Sequence, residues 1–471
     1  MRCCTFVNGR SAARVPALSY RSGTLPAPMN CRYWLPAYTA LGLAAIYCNL
    51  LYYADGAYFT FAVASGEPWN LLWSEYPRRV GAMLLTNGPG WIAYSLGASA
   101  WVAGKIYAGF FFGLPVAAVG LIKLRAPVAE LGYWLAVYGA LLFGLCMSTF
   151  GFPTEMWVTA QLTVPLILTI LYPPTSATGK SLAFALAAFF CFSHEAAVLC
   201  SVSLLLAWYV SYNTPGRTRE SRTFLLCLLV WFVLLAALWV STWFWGKPVN
   251  PLTQKVLEMN ESRVRSAGFI KEPLVFSSAI ILAVSVLLLR GSNRRVLTAV
   301  QVLLIGAALF ASLKLDAANS RYGARTAVEW LLPPLAIGAV LLRHRVDPTD
   351  IWRSIWPIAV VQLLVNAYSL AGWVSYSNRL QSFAASHTAP ARFHEWVAAS
   401  IQSLPNNARY YWEWTTPFTV IMLRGPAFAG SLVLSESWYA PMTCSKATAV
   451  LPRVAWLDPV SRDLLLRDSC K

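Results

Sequence analysis

Residues 223–245 read TFLLCLLVWFVLLAALWVSTWFW, with no charged side chain, between Arg222 on one side and Lys247 on the other. A helix needs about 20 apolar residues to cross the ~30 Å hydrocarbon core of a bilayer, and this stretch is long enough. The same texture recurs on both sides of it. Apolar runs cover 34–53, 101–121, 129–150, 156–172, 176–193, 196–212, 273–290, 296–313, 327–342 and 354–374. Long continuous runs predict helices, because strands of a membrane barrel alternate in polarity. The chain of 471 residues is 57% hydrophobic, 14% aromatic and only 12% charged. A soluble domain carries about 25% charge, and disordered chains lack such aromatic content, so both classes are excluded. The expected fold class is an all-α polytopic membrane protein of about 11 transmembrane helices (34–374), with a small α+β extracytoplasmic C-terminal domain (375–471).

A net charge of +17 would suit nucleic acid, but no continuous basic face forms, and no nucleic-acid partner is expected. Lys and Arg instead punctuate the apolar runs, as topology signals and contacts with anionic membrane lipids do. With the N-terminus cytoplasmic, the inner connections carry Lys123, Arg125, Lys180, Arg217, Arg219, Arg222, Arg290, Arg294, Arg295, Arg343 and Arg345. They face only Glu130, Glu220, Asp347 and Asp350. That bias supports the span count and the orientation, and a multi-pass protein of a bacterial inner membrane is expected. Residues 1–33 hold Arg but no acid and lack the apolar core of a signal peptide. They read as a disordered cytoplasmic leader, or as an over-extended start ahead of Met29.

Three longer loops are expected outside, at 54–100, 246–272 and 314–326. The first is amphipathic and rich in Trp and Tyr, which favour membrane interfaces, and predicts short interfacial helices. In the tail an amphipathic helix is expected from Ala391 to Leu404. Short apolar segments follow at Phe418–Leu423 and Ser431–Leu434. Cys48, Cys146, Cys191, Cys200 and Cys227 lie in apolar runs, where thiols act as small hydrophobes. Cys444 and Cys470 are the tail's two cysteines, and an oxidising compartment would let them pair as a disulfide.

Acids at a membrane are costly unless used or solvated, and the informative ones gather on the outer side. Asp55 follows the first span. Glu155 lies at the turn Gly151-Phe152-Pro153-Thr154-Glu155, and His194-Glu195 lie at the turn between 176–193 and 196–212. Singly, Asp55 reads as a solvated helix end, Glu155 as a helix cap and His194 as a turn residue; together they read as a site. Arg78, Arg79, Lys314, Arg321 and Arg325 supply outer cations suited to phosphate oxygens, or to headgroups. No phosphate-binding glycine loop, nucleophile elbow or zinc spacing is present.

This organisation resembles the GT-C superfamily of integral-membrane glycosyltransferases, which use lipid-phosphate-linked sugars. The resemblance rests on Asp55 just after the first span and Glu155 between the third and fourth. It also rests on the aromatic first loop and the outward C-terminal domain. It implies transfer of a sugar from a polyprenyl-phosphate donor to a glycan, lipid or protein acceptor. Asp55 would be the catalytic base, aided by Glu155. Arg321, Arg325 and Lys314 would receive the phosphate, with Arg78 and Arg79 as further substrate-binding cations. His194 and Glu195 would bind acceptor or sugar hydroxyls. No cofactor follows from the residues. Family members commonly pair acids where this chain has Asp55 alone, which leaves a divalent metal open. Two other readings use the same features, an O-antigen polymerase or ligase and a non-enzymatic lipid or glycan flippase. A flippase would want charge along a path through the bundle, and Lys105 is the main charge inside a span.

Overall fold

The computed structural model describes residues 31–242 and 317–470, except Glu75, Pro153, Thr388 and residues 402–409, 411, 413–414, 425–431 and 435–441. For 31–33, 317–327, 330 and 401 only the backbone is described. The leader to residue 30, the loop 246–272, the expected spans 273–290 and 296–313, and Lys314 lie outside the described residues.

In chain order the helices are α1 (Cys31–Tyr47), α2 (Asp55–Ala64), α3 (Val80–Thr86), α4 (Gly88–Ser95), α5 (Ala100–Arg125) and α6 (Val128–Gly144). They continue with α7 (Met156–Leu171), α8 (Ala177–Cys191), α9 (Ala196–Tyr212), α10 (Arg219–Ser241), α11 (Ala317–Leu342) and α12 (Pro348–Ser386). Several begin where the sequence offers an oxygen for the unpaired first-turn N–H groups. Ser99 accepts from the Val102 N–H, Ser176 from Gly179 and Thr218 from Ser221. Asp347 accepts from Thr349, with Pro348 at the first helical position.

All residues of α7 are buried, with α5, α8, α9 and α11 packed around it. Its buried polar side chains bond mostly within reach, although the Gln161 Nε2 stays unpaired among the described residues. Thr163 donates to the Thr159 carbonyl and Thr169 to Pro165, each at 2.8 Å, while Gln161 accepts from the Tyr138 hydroxyl. α12 packs along α6 and α1. On the periphery, α10 exposes Val230, Val233, Leu234 and Leu238, and α12 exposes Trp356, Val360, Leu364 and Tyr368. Such faces are unfavourable in water and natural in hydrocarbon.

Among the described residues, four helices are long and apolar enough to cross a membrane: 100–125, 128–149, 219–241 and 348–386. The apolar helices Trp34–Tyr47, Met156–Leu171, Ala177–Cys191, Ala196–Tyr212 and Leu331–Leu342 are shorter. Two boundaries differ clearly from expectation. The first span stops at Tyr47, not 53, because Asn49 turns left-handed (φ 56°) into a 3-10 turn over Leu50–Tyr52. The final carbonyls of α1 are met by Lys105, whose Nζ donates to Ile46 O and Tyr47 O at 2.5 and 2.9 Å. Lys105 is thus a helix cap. The boundary at 374/375 falls inside α12, whose 39 residues extend ~58 Å at 1.5 Å per residue. Hydropathy falls after Trp373 while the helix continues.

The loop 54–100 is helical as expected, holding α2, α3 and α4 with short turns between them. In the tail, β1 (Ala391–Arg392) pairs in parallel with β2 (Val433–Leu434). The expected helix 391–404 is therefore a strand followed by α13 (Phe393–Ile401). The short apolar segment Phe418–Leu423 lies in α14 (Thr416–Arg424). A disulfide joins Cys444, the first residue of α15 (Cys444–Val450), to Cys470, just past α16 (Pro459–Ser469).

Candidate functional site

Two tight turns set the site. Gly151 adopts φ +73°, and the Leu50 side chain occupies the space that a β-carbon would fill. This position therefore needs glycine, and it turns the chain back to start α7 with Glu155 as its N-terminal flanking residue. Glu195 holds the same position on α9. Both turns read Phe-x-x-Glu, at Phe152–Glu155 and Phe192–Glu195. α7 and α9 lie side by side, and Thr159 Oγ1 and Ser193 Oγ meet at 2.6 Å between them. Two carboxylates thus stand together at two positive helix ends.

Arg79 enters from the first loop. It closes the 3-10 turn Pro77–Arg79, and the next helix, α3, docks end-on against α8. The Gly81 and Ala82 N–H groups donate to Phe192 O at 2.8 and 3.3 Å. The guanidinium grips Glu195 through Nε (3.3 and 3.1 Å) and Nη2 (3.2 Å to Oε1), and reaches Glu155 Oε2 through Nη1 at 3.4 Å. Burial alone would lower the pKa of Arg79, but the Glu155 and Glu195 carboxylates outweigh it and hold the pKa above its ordinary value. Arg78 is pulled below its ordinary value by partial burial and by Arg79, against the opposing pull of Glu195.

His194 is 2% exposed. Its Nδ1 accepts the Ala196 N–H at 3.0 Å, so the neutral ring carries its proton on Nε2. That nitrogen lies 3.4 Å from Glu195 Oε2 and 3.8 Å from Glu329 Oε1. The cluster therefore joins Arg79, Glu155, His194, Glu195 and Glu329 from four separate parts of the chain.

Asp55 opens α2 and is partly buried, with Oδ1 sealed from solvent. The residue before it, Ala54, takes φ 50° and ψ −140°. An L-residue adopts that conformation only under strain from its surroundings. Asp55 and Glu155 both act electrostatically on the Tyr107 hydroxyl in α5, so the first-loop acid belongs to the same neighbourhood as the cluster.

Of the residues singled out in the sequence, the structure brings together Arg79, Glu155, His194 and Glu195, with Arg78 and Asp55 beside them. Arg321 and Arg325 lie on the backbone of α11, eight and four residues before Glu329; their side chains and Lys314 lie outside the described residues. Glu329 and Tyr107 escaped sequence reasoning. A signal for Glu329 existed, since it and Glu130 are the two acids inside the assigned spans. Glu130 is engaged elsewhere, accepting from Trp134 Nε1 at 3.2 Å and from the Tyr172 hydroxyl. Tyr107 had no signal, being one of many aromatics in an apolar run.

Chemically, the neighbourhood offers carboxylates to accept protons, an imidazole Nε2–H to donate one, and a fixed guanidinium. Among the described residues, no group of three or more His, Cys, Asp or Glu side chains is arranged to hold a metal ion. No family model, curated protein or solved structure matches the chain.

Proposed function

We propose that this chain is an integral-membrane glycosyltransferase of the GT-C type, with eleven spans, a cytoplasmic N-terminus and an extracytoplasmic tail. It would move a sugar from a polyprenyl-phosphate donor to an acceptor hydroxyl. The observation that carries this reading is the convergence of Arg79, Glu155, His194, Glu195 and Glu329, with Asp55 adjacent, where the N-terminal ends of α7 and α9 meet the middle of α11.

In this reading Asp55 takes the proton of the acceptor hydroxyl. A carboxylate partly withdrawn from water is a better base than a solvated one. The acceptor oxygen bonds to the anomeric carbon as the bond to the phosphate oxygen breaks. The electron pair leaves on the lipid phosphate, where Arg321, Arg325 and Lys314 would offset its charge. Glu155 and Glu195, held by Arg79, and the Nε2–H of His194 would orient hydroxyls. A flippase is less well supported, because Lys105, the charge once available for a path through the bundle, is engaged by the end of α1.

The test is lipid-linked sugar profiling in a strain deleted for the gene and complemented with wild type or Asp55→Asn. One polyprenyl-phosphate sugar should accumulate in the deletion strain, clear with wild type and persist with Asp55→Asn at normal expression. An unchanged lipid pool in the deletion strain would reject the transferase reading. Full clearance by Asp55→Asn would reject the base assignment.

A further inference from the structure

One face of α5 runs between the two acids. Gly104, Tyr107 and Phe111 follow one another at helical spacing. At Gly104 the helix meets the first-loop segment, where a β-carbon would lie 2.8 Å from Thr60 Cγ2 and 3.2 Å from the Tyr52 hydroxyl. At Phe111 it meets the start of α7, where the Trp157 ring stacks at 5.8 Å and its Nε1 donates to Phe111 O at 3.1 Å. Tyr107 sits between these two contacts, one with α2, which Asp55 opens, and the other with α7, which Glu155 precedes, and both acids lie within electrostatic reach of its hydroxyl. Its Cβ also backs onto α4, 3.4 Å from where a β-carbon of Gly90 would lie.

Tyr107 is 1% exposed, yet its hydroxyl forms no hydrogen bond to any described residue. The hydroxyl of Tyr52, which meets the same helix at Gly104, is buried and unpaired among the described residues. A buried phenol normally finds a partner, because leaving it unpaired costs stability. Two such groups beside carboxylates are complementary to a ligand with several hydroxyls. Its O–H groups would donate to Asp55 and Glu155, and its oxygens would accept from the phenols.

We infer that Tyr107, with Asp55 and Glu155, forms a subsite for the hydroxyls of a glycosyl ring, and that Tyr107 is a substrate-binding residue. This deepens the glycosyl-transfer reading and takes the ligand's chemistry from it. Methyl glycosides of the common hexoses and pentoses, each tested singly against its permethylated form, are the probes. Thermal stabilisation of the full-length protein in lipid nanodiscs is the readout.

At least one free glycoside should stabilise the wild type while its permethylated form does not. Tyr107→Phe should bind that glycoside roughly tenfold more weakly, the size of one lost hydrogen bond in a buried site. Without ligand, Tyr107→Phe should melt no lower than wild type, since the hydroxyl it removes has no protein partner. A Tyr107→Phe protein that binds equally well overturns the inference. So does a drop in its unliganded melting temperature, or a wild type that no free glycoside stabilises. Glycoside binding without donor accumulation in the deletion strain would reject transfer and leave the subsite standing, so the two readings fail separately.

Discussion

Arg79 is 23% exposed, and its two partners come from turns 76 and 116 residues away in the chain. Taking a guanidinium this far out of water is unfavourable, and the geometry offsets it with several charge-assisted hydrogen bonds. Glu155, at 7% exposure, depends on that arrangement most. Arg79→Ala would leave Glu155 charged and buried beside Glu195, and should lower stability by about 3 kcal/mol. Arg79→Lys should recover only part of this, because an ammonium cannot hold one carboxylate through two nitrogens and reach a second. Combining Arg79→Ala with Glu155→Gln should restore much of the loss. Unfolding of the purified variants in nanodiscs measures this; an Arg79→Ala loss below about 0.5 kcal/mol, the scale of ordinary surface changes, would contradict it. The pH dependence follows from the raised Arg79 pKa. A cation with a folded pKa above its unfolded value contributes stability that is complete below the unfolded pKa and lost only above it. The unfolded guanidinium titrates above about pH 12. The Arg79 contribution should therefore stay constant through the neutral range.

At the scale of elements, Arg79 is placed by the way α3 ends on α8. A β-carbon on Gly81 would lie 2.8 Å from Phe189 O and 3.0 Å from Phe192 O. Both are backbone atoms at the end of a helix and cannot turn aside. Gly81→Ala must therefore lift α3 and withdraw Arg79 from the two carboxylates. The expected result is a loss of stability together with loss of the Asp55-dependent clearance of donor lipid. Gly88→Ala is the control, since a β-carbon there meets nothing within 4 Å. Equal behaviour of the two variants would show that the α3 docking does not position Arg79. This docking also marks how far sequence reading reached. The Glu155 and His194-Glu195 turns were legible because charge at the end of an apolar run stands out. The partners of those turns were not, because a Gly81 N–H meeting a Phe192 carbonyl depends on tertiary packing and leaves no periodic trace. Hydropathy also misplaced helix ends. It followed apolar character past Tyr47, where Asn49 breaks the helix. It stopped at 374, where α12 continues with the polar segment Ser375–Ser386. Phe418–Leu423 was ambiguous for a third reason, since a short apolar run fits a buried strand or a buried helix equally.

Across the whole molecule, the tail is tied to the loop that carries Asp55. The Trp456 indole donates to Ala64 O, the last residue of α2, at 2.7 Å, and its ring packs on Phe61 and Trp101. Phe418 packs on Tyr58 and Phe61 of the same helix, and Arg453 lies 3.6 Å from Glu67. The disulfide between Cys444 and Cys470 spans a sequence separation of 26 residues, with Trp456 inside the closed segment. Closing a loop of that size removes unfolded-state entropy worth roughly 3 kcal/mol, so the bond should hold Trp456 against α2. Cytosolic reductants keep thiols open, and a persistent structural disulfide belongs on the oxidising side of a membrane. On the proposed topology the tail, which touches the Asp55 loop directly, would lie with that loop on the oxidising side. Intact cells treated with a membrane-impermeant maleimide should leave Cys444 and Cys470 unmodified. Brief treatment with an impermeant phosphine reductant should then expose both to the same reagent without lysis. Labelling that needs permeabilised cells, or that occurs without reduction, would overturn the outward placement. Cys444→Ser with Cys470→Ser should in turn lower the melting temperature and expose Trp456 to quenching, while Trp456→Phe in the oxidised protein loses the Ala64 bond alone. A larger effect from the paired serine variant than from Trp456→Phe is expected, because the disulfide orders the whole segment that delivers the indole.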